Sequence, residues 1–87
     1  MSGESPLEFP CVFPIKIMGR YSPEFQQRAV SLVEKHTGKI ADSAVQSAVS
    51  RNARFVSVTV VINASSQQQL DDIYRDLSAH EEVLMAL

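Results

Sequence analysis

Residues 55–62 constrain the fold of this chain more than any other stretch, because they have the composition and the alternation of a β-strand. The stretch is rich in β-branched side chains, which pack well on a pleated surface. Aliphatic residues at every second position share one face of the predicted strand, and they are Val56, Val58, Val60 and Ile62. The opposite face carries Phe55, Ser57, Thr59 and Val61. The sequence therefore predicts a sheet that buries one face against a core.

The length of 87 residues allows a single domain with one hydrophobic core. Hydrophobic residues make up 45% of the chain and charged residues 21%, which is a globular rather than a disordered composition. The formal net charge of −2 gives no general attraction for phosphate backbones or anionic lipids. Cys11 is the only cysteine, so no internal disulfide is predicted. The first residues lack the basic and apolar segments of a secretion signal, so a cytoplasmic protein without membrane association is expected.

A second strand is predicted over residues 11–18, with a buried face formed by Phe13, Ile15 and Ile17. Because proline has no N–H to donate, Pro14 predicts a gap or bulge in the pairing of this strand. Gly19 is expected to break the strand in a backbone turn.

A helix is predicted to follow directly, with Ser22 as the N-cap and Pro23 at the first helical position. Its apolar face is expected to consist of Phe25, Ala29, Leu32, Val33 and His36. Gly38 is expected to end this helix.

The remaining elements complete the pattern. Residues 44–50 predict an edge strand, and residues 83–87 a short final strand. Between them, Ser65 or Ser66 is expected to cap a second helix with the apolar face Leu70, Ile73, Tyr74 and Leu77. The order β-α-β-β-α-β predicts an α+β, ferredoxin-like fold, a four-stranded antiparallel sheet with both helices on one face. Residues 1–10 are expected to form a flexible N-terminal arm, and residues 11–87 the domain.

Several short motifs carry a resemblance to a known family. They are Leu7-Glu8-Phe9-Pro10, Phe13, Lys16, Met18-Gly19, Ile62-Asn63-Ala64, Met85 and Leu87. Taken in order, they resemble the YbeD-like family of small uncharacterised bacterial proteins. The resemblance implies a fold similar to that of ACT regulatory domains, which bind small effectors, often amino acids, near the loop after the first strand. Gly19, Arg20, Tyr21 and Ser22 form that loop here. Any effector site would involve these four residues, and backbone N–H groups at the helix N-terminus would favour an anionic group that pairs with Arg20.

The residues that most often carry catalysis do not form a recognisable motif. Cys11 is interpreted as a small hydrophobic residue in a strand rather than as a reactive thiol. His36 is explained by the negative end of a helix dipole, and His80 by a turn. Asp72 and Asp76 are one helical turn apart and are interpreted as part of a solvated face. No catalytic residue, metal site or cofactor is predicted, and the protein is not expected to be an enzyme.

The uncovered face of the predicted sheet is a further candidate for a functional site. Met18, Phe55, Val61, Leu84 and Ala86 are expected to lie there, and an apolar patch of this kind usually marks an interface. Two explanations stay open, namely cover by the chain's own Leu7 and Phe9, and sheet-to-sheet or edge-to-edge homodimerisation. The interface is predicted to consist of Met18, Phe55, Val61 and Leu84.

RNA-recognition domains share this topology and stack bases on aromatic residues of the two central strands. Here the first strand offers Lys16 and Met18 instead of an aromatic residue, and the RNP1 motif is absent. RNA binding is therefore the less favoured alternative, and nucleic acid is not an expected partner.

Two functions are carried forward from the sequence. The first is a non-catalytic regulatory module that binds a small effector or a partner protein. The alternative is a protein-interaction or dimerisation module that uses the uncovered face of the sheet.

Overall fold

A computed structural model describes residues 7–87. The elements are β1 (Cys11–Arg20), α1 (Phe25–Thr37), a 3-10 turn (Asp42–Ala44), β2 (Val45–Val49), β3 (Phe55–Ala64), α2 (Gln67–Ala79) and β4 (Val83–Ala86). The four strands form one antiparallel sheet in the order β2-β3-β1-β4. This confirms the predicted ferredoxin-like fold.

The core lies between the sheet and the two helices. The sheet contributes Ile15, Ile17, Val56, Val58, Val60, Ile62 and Ala64. The helices contribute Phe25, Ala29, Val33, Leu70, Ile73 and Leu77. The alternation read from β1 and β3 therefore assigned the buried face correctly.

Pro14 does not interrupt the sheet, and the predicted gap was wrong. Its Cα partner in β3 is Val61, within an unbroken register. The neighbouring hydrogen bonds explain this, since the Lys16 N–H and C=O both bond to Leu87, on the side away from β3. The backbone groups of residues two apart point to the same side of a strand, so the missing N–H of Pro14 faces away from β3 as well.

Gly19 does not end β1, which continues to Arg20. Its backbone does not adopt the left-handed conformation that favours glycine. It is needed for space, because a Cβ built on it would lie 2.5 Å from the Glu82 carbonyl oxygen and 2.6 Å from Cζ of Phe25. Strand β1 therefore extends beyond its predicted end, because Gly19 allows close packing against Phe25 and Glu82 and does not form a turn.

Helix α1 begins later than predicted, and Ser22 is not its cap. Glu24 occupies the N-cap position without a side-chain hydrogen bond, and Pro23 lies in the preceding turn. The other expected cap residues were correct. Gly38 follows α1 with a φ of +83°, and the Ser66 hydroxyl accepts a hydrogen bond from the Gln69 N–H at 3.1 Å.

His36 and Asp76, interpreted separately from the sequence, form a contact between the two helices. Nε2 of His36 lies 2.6 Å from Oδ2 of Asp76, and the Gln69 side-chain amide donates to the His36 carbonyl oxygen at 2.9 Å. Asp76 therefore ties α2 to the end of α1 rather than belonging only to a solvated face.

Strand β4 contains a bulge that changes which of its residues share a face. Ile17 pairs with Ala86 and Met18 with Met85, but Gly19 pairs with Val83, so Leu84 has no Cα partner in β1. Ala86 thus lies on the core side beside Ile17, and its predicted place on the uncovered face was wrong. Met85 takes that place, because it lies opposite Met18.

Candidate functional site

The loop implied to bind an effector is split between the two sides of the sheet. Gly19 is buried against the Phe25 ring and the Glu82 backbone on the core side. Arg20 is the next residue of the strand, so its side chain projects from the opposite face and is exposed. Arg20 and the first turn of α1 are therefore on different sides of the sheet.

Tyr21 and Ser22 complete this loop. Tyr21 is exposed, and its N–H donates to the Arg54 carbonyl oxygen at 2.8 Å. The Ser22 Oγ is buried and makes no hydrogen bond with any of residues 7–87, and the same holds for Oε1 of Glu82. Oε2 of Glu82 accepts from Arg28 of α1 at 2.6 Å. Ser22 is thus the residue of the predicted loop whose buried side-chain oxygen has no hydrogen-bond partner among residues 7–87.

Two cavities among the described residues lie beside α1 rather than at this loop. One of about 640 Å³ lies against the outer side of α1 and the 3-10 turn, with Gln26, Glu34, Lys39 and Asp42 in its lining. Another of about 460 Å³ is lined by Arg28, Lys35 and His80 among others. Neither is lined by any residue from Gly19 to Ser22.

The sheet surface opposite the helices forms a continuous face. Its central rows follow from the register, with Met18 between Ser57 and Met85, and Lys16 between Thr59 and Leu87. We call the surface formed by these rows and their neighbours along β1 and β3 the open face. Its members are Lys16, Met18, Arg20, Phe55, Ser57, Thr59, Val61, Met85 and Leu87.

Large apolar side chains are exposed on the open face. The exposed fraction is 42% for Phe55, 40% for Val61, 51% for Met85 and 62% for Leu87. A shallow depression of about 180 Å³ is lined by Met18 and Phe55 together with residues of β2. Leu84, also predicted for the interface, is exposed at the bulge beside this face. Met18, Phe55 and Val61 thus share one surface, whereas sequence reasoning missed Met85 and Leu87 because the bulge is invisible in the pattern.

The N-terminal arm does not cover the open face with the residues that the structure describes. Leu7 and Phe9 are half-buried and pack against the core cluster, as do Cys11 and Phe13 further along the strand. They therefore extend the core side of the sheet. Residues 1–6 of the predicted arm lie outside the described residues.

Charged residues are distributed unevenly over the two layers. Lys16 and Arg20 are the only charged residues in the four strands, and both lie on the open face. Helix α2 carries Asp71, Asp72 and Asp76 against a single arginine. The open face is therefore basic and apolar, although the whole chain has a net charge of −2.

Shifted pKa values and clusters of metal-binding side chains often mark reactive sites. Burial raises the pKa of the Tyr74 phenol, which lies on α2 and packs against the core. No group of three or more His, Cys, Asp and Glu residues within residues 7–87 is arranged to hold a metal ion. Over the same part of the chain, neither helix has the length and hydropathy needed to cross a membrane.

Comparison with solved structures supports the architecture. The solution structure of protein HP0495 from H. pylori is similar with a TM-score of 0.71, and the match covers 99% of this chain and 90% of that one. The two sequences are 18% identical, so this similarity concerns the fold alone.

Comparison with known sequences gives closer relatives. The pattern of DUF493, described as a protein of unknown function, matches residues 4–87. A UPF0250 protein of Paraburkholderia phytofirmans is 43% identical over 97% of this chain and 94% of its own length. The UPF0250 protein NE1487 of Nitrosomonas europaea is 40% identical over 100% of both chains. With nearly its whole length matched, this chain belongs to the DUF493 family of small bacterial UPF0250 proteins, the family to which its YbeD-like motifs pointed.

Proposed function

We propose that this protein is a non-catalytic module that binds a partner protein through the open face of its sheet. The observation that carries this proposal is the exposure of Phe55, Val61, Met85 and Leu87 on one surface with no covering layer among residues 7–87. Scattered exposed apolar residues are normal, but Phe55, Met18 and Met85 lie on neighbouring strands of one sheet face, and such a grouping is typical of an interaction surface.

The shallow depression beside Phe55 is consistent with binding of a partner protein. Phe55 stands beside Met18 at the shallow depression and is the only aromatic residue of the open face. Binding energy in protein interfaces concentrates on a few anchor residues, among which large aromatic side chains are enriched. Phe55 is therefore the residue whose loss is expected to weaken binding most.

The test is the substitution Phe55→Asp, with Gln27→Asp as the matched control. Gln27 is exposed on α1, so the control adds the same charge on the far side of the molecule. Partners are isolated with the intact protein, purified, and titrated against each variant by calorimetry. We expect Phe55→Asp to weaken binding more than tenfold and Gln27→Asp to leave it within about twofold, because loss of an anchor residue typically costs about 2 kcal/mol or more and about 1.4 kcal/mol is tenfold in Kd.

Three outcomes decide the result. Equal affinities for the two variants would contradict docking on the open face, and so would the absence of any partner that reconstitutes with the purified protein. Light scattering on the unmixed protein identifies self-association. A dimer that Phe55→Asp converts to a monomer would assign this face to a second copy of the chain.

Binding of a small effector is the second candidate, and the buried Ser22 Oγ favours it. This hydroxyl precedes α1 and has no hydrogen-bond partner among the described residues. Arg20 is not part of this candidate, because its side chain is on the other face of the sheet. The effector would instead form a hydrogen bond with the Ser22 hydroxyl on the side of the sheet that carries the helices.

A thermal-shift screen with amino acids, nucleotides and short acyl compounds tests this candidate. A ligand at a hundred times its Kd adds about 2.7 kcal/mol, which raises Tm by on the order of 10 °C in a domain of this size. Ser22→Ala is expected to abolish that shift and to leave the unliganded Tm within about 2 °C, since no hydrogen bond is lost. Ser31→Ala, on the exposed side of α1, serves as the control. A flat panel, or a shift that Ser22→Ala leaves intact, contradicts this candidate.

A further inference from the structure

The two cations of the open face have no charged partner of their own. Arg28 is bound to Glu82 and Arg75 to Asp72, whereas no salt bridge within residues 7–87 involves Lys16 or Arg20. None of the four strands contains an acidic residue that would compensate them. The open face therefore presents two positive side chains without a salt-bridge partner among residues 7–87 to whatever docks on it.

The apolar surface of Met18 lies between these two cations. Lys16, Met18 and Arg20 alternate along the same face of β1, with Met85 beside Met18 and Phe55 opposite Arg20. A partner that removes water from Met18 also removes it from the flanking ammonium and guanidinium groups. Desolvating a charge is costly unless an opposite charge replaces the water. Carboxylates at the margins of the apolar contact would offset this cost.

On the basis of the proposed function, we infer that the partner docks with an acidic, apolar segment whose carboxylates pair with Lys16 and Arg20 while an apolar side chain between them packs on Met18. Lys16 and Arg20 are four residues apart in an extended strand, so their Cα atoms are separated by roughly 13 Å at about 3.3 Å per residue. An extended segment matches this spacing with acidic residues at positions i and i+4 and an apolar residue at i+2.

The same charges disfavour a second copy of the chain as the occupant. In a two-fold symmetric contact each protomer offers the same patch to the other. Lys16 and Arg20 of one protomer would then approach the same two cations of its partner, with no acidic strand residue to separate them. Like charges brought together across an interface cost binding energy.

The side chains of the open face also favour a polypeptide over RNA. Sequence-tolerant binding of single strands relies on several aromatic side chains that stack on bases. Phe55 is the only aromatic residue on the open face, whose other apolar members are Met18, Met85, Leu87 and Val61. Aliphatic and thioether side chains suit the apolar side chains of a peptide.

The experiment selects binders from a phage-displayed library of random 12-residue peptides on the full chain, followed by synthesis of the enriched peptides. Fluorescence polarisation then gives Kd values for wild type, Lys16→Glu/Arg20→Glu and Phe55→Asp. The control Lys35→Glu/Lys39→Glu makes the same change of net charge at exposed lysines outside the sheet. We expect enrichment of Asp and Glu around apolar residues, affinity that falls with salt, and at least tenfold weaker binding only for the two open-face variants.

Each other result has a separate meaning. Enriched peptides that lack acidic residues but are lost with Phe55→Asp overturn the acidic partner and leave docking on the open face standing. Peptides that bind all four proteins equally, or no enrichment at all, overturn the docking function itself. A homodimer disrupted by Phe55→Asp makes the occupant a second copy. Binding of a random single-stranded RNA pool that is lost with Lys16→Glu/Arg20→Glu, without an acidic peptide preference, makes it nucleic acid.

Discussion

Replacing Phe25 with alanine is expected to lower the free energy of unfolding by about 3–5 kcal/mol, the usual cost of removing a buried phenyl ring. Phe25 opens α1, is 1% exposed, and its ring fills the space beside Gly19 under the sheet. A domain of 87 residues has a total stability of roughly 4–13 kcal/mol. The substitution thus removes a large part of what keeps the chain folded.

Urea denaturation followed by circular dichroism measures this effect, provided that the slope of the transition is unchanged. The matched control is Phe55→Ala, which makes the same chemical change on the open face at a ring that is 42% exposed. It is expected to cost about 1 kcal/mol, because only part of the ring is removed from water on folding. Similar losses for the two variants would contradict the placement of the Phe25 ring in the core and of the Phe55 ring on the solvent-exposed side of the sheet.

The layers of this fold could be predicted because they depend on local periodicity. Val56, Val58 and Val60 alternate with smaller or exposed residues, and a strand in a two-layer fold can satisfy such a pattern in only one way. The same holds for Leu70, Ile73 and Leu77 on α2. Once the faces and the order of the elements are known, chain connectivity leaves few topologies, and the ferredoxin-like one is realised.

What the sequence could not predict depends on contacts between distant residues. Glycine is typical of strand ends, yet β1 continues through Gly19. A glycine is needed there because the Phe25 ring and the Glu82 backbone occupy the space that a side chain would need. His36 and Asp76 are 40 positions apart, so no helical spacing reveals that they meet. Local patterns describe which face is buried, but they do not describe which atoms arrive there.

Only part of the candidate surface could be predicted, because its other members also depend on contacts between distant residues. Met18, Phe55 and Val61 follow from alternation in the two central strands, and they share the open face. The bulge between Met18 and Gly19 shifts β4 by one residue, which exchanges Ala86 for Met85. A one-residue shift moves every side chain of a strand to the other face. Which residues of β4 lie on this surface could therefore not be predicted without the register between β1 and β4.

Gly19→Ala is expected to cost about 2–3 kcal/mol, as forced overpacking of a tight core site commonly does. The added methyl group would lie 2.5 Å from the Glu82 carbonyl oxygen, which belongs to the backbone and cannot rotate away. The segment that carries Glu82 leads directly into β4, so β4 must move outward from β1. Hydrogen exchange should accordingly accelerate at the β4 amides before those of β3.

A double-mutant cycle with Phe25→Leu tests whether the stability loss comes from this steric contact or from the replacement of a glycine as such. Leucine withdraws the ring atoms that lie within 2.6 Å of the added Cβ but leaves the Glu82 carbonyl in place. The cost of Gly19→Ala should therefore fall by about 1 kcal/mol in the Phe25→Leu background without reaching zero, because residues in contact couple. Gly38→Ala is the control, since nothing lies within 4 Å of its Cβ position and its cost arises from a φ of +83°. That cost should be the same in both backgrounds. If the stability loss from Gly19→Ala is also the same with phenylalanine and with leucine at position 25, the Phe25 ring is not the reason that a glycine is needed at position 19.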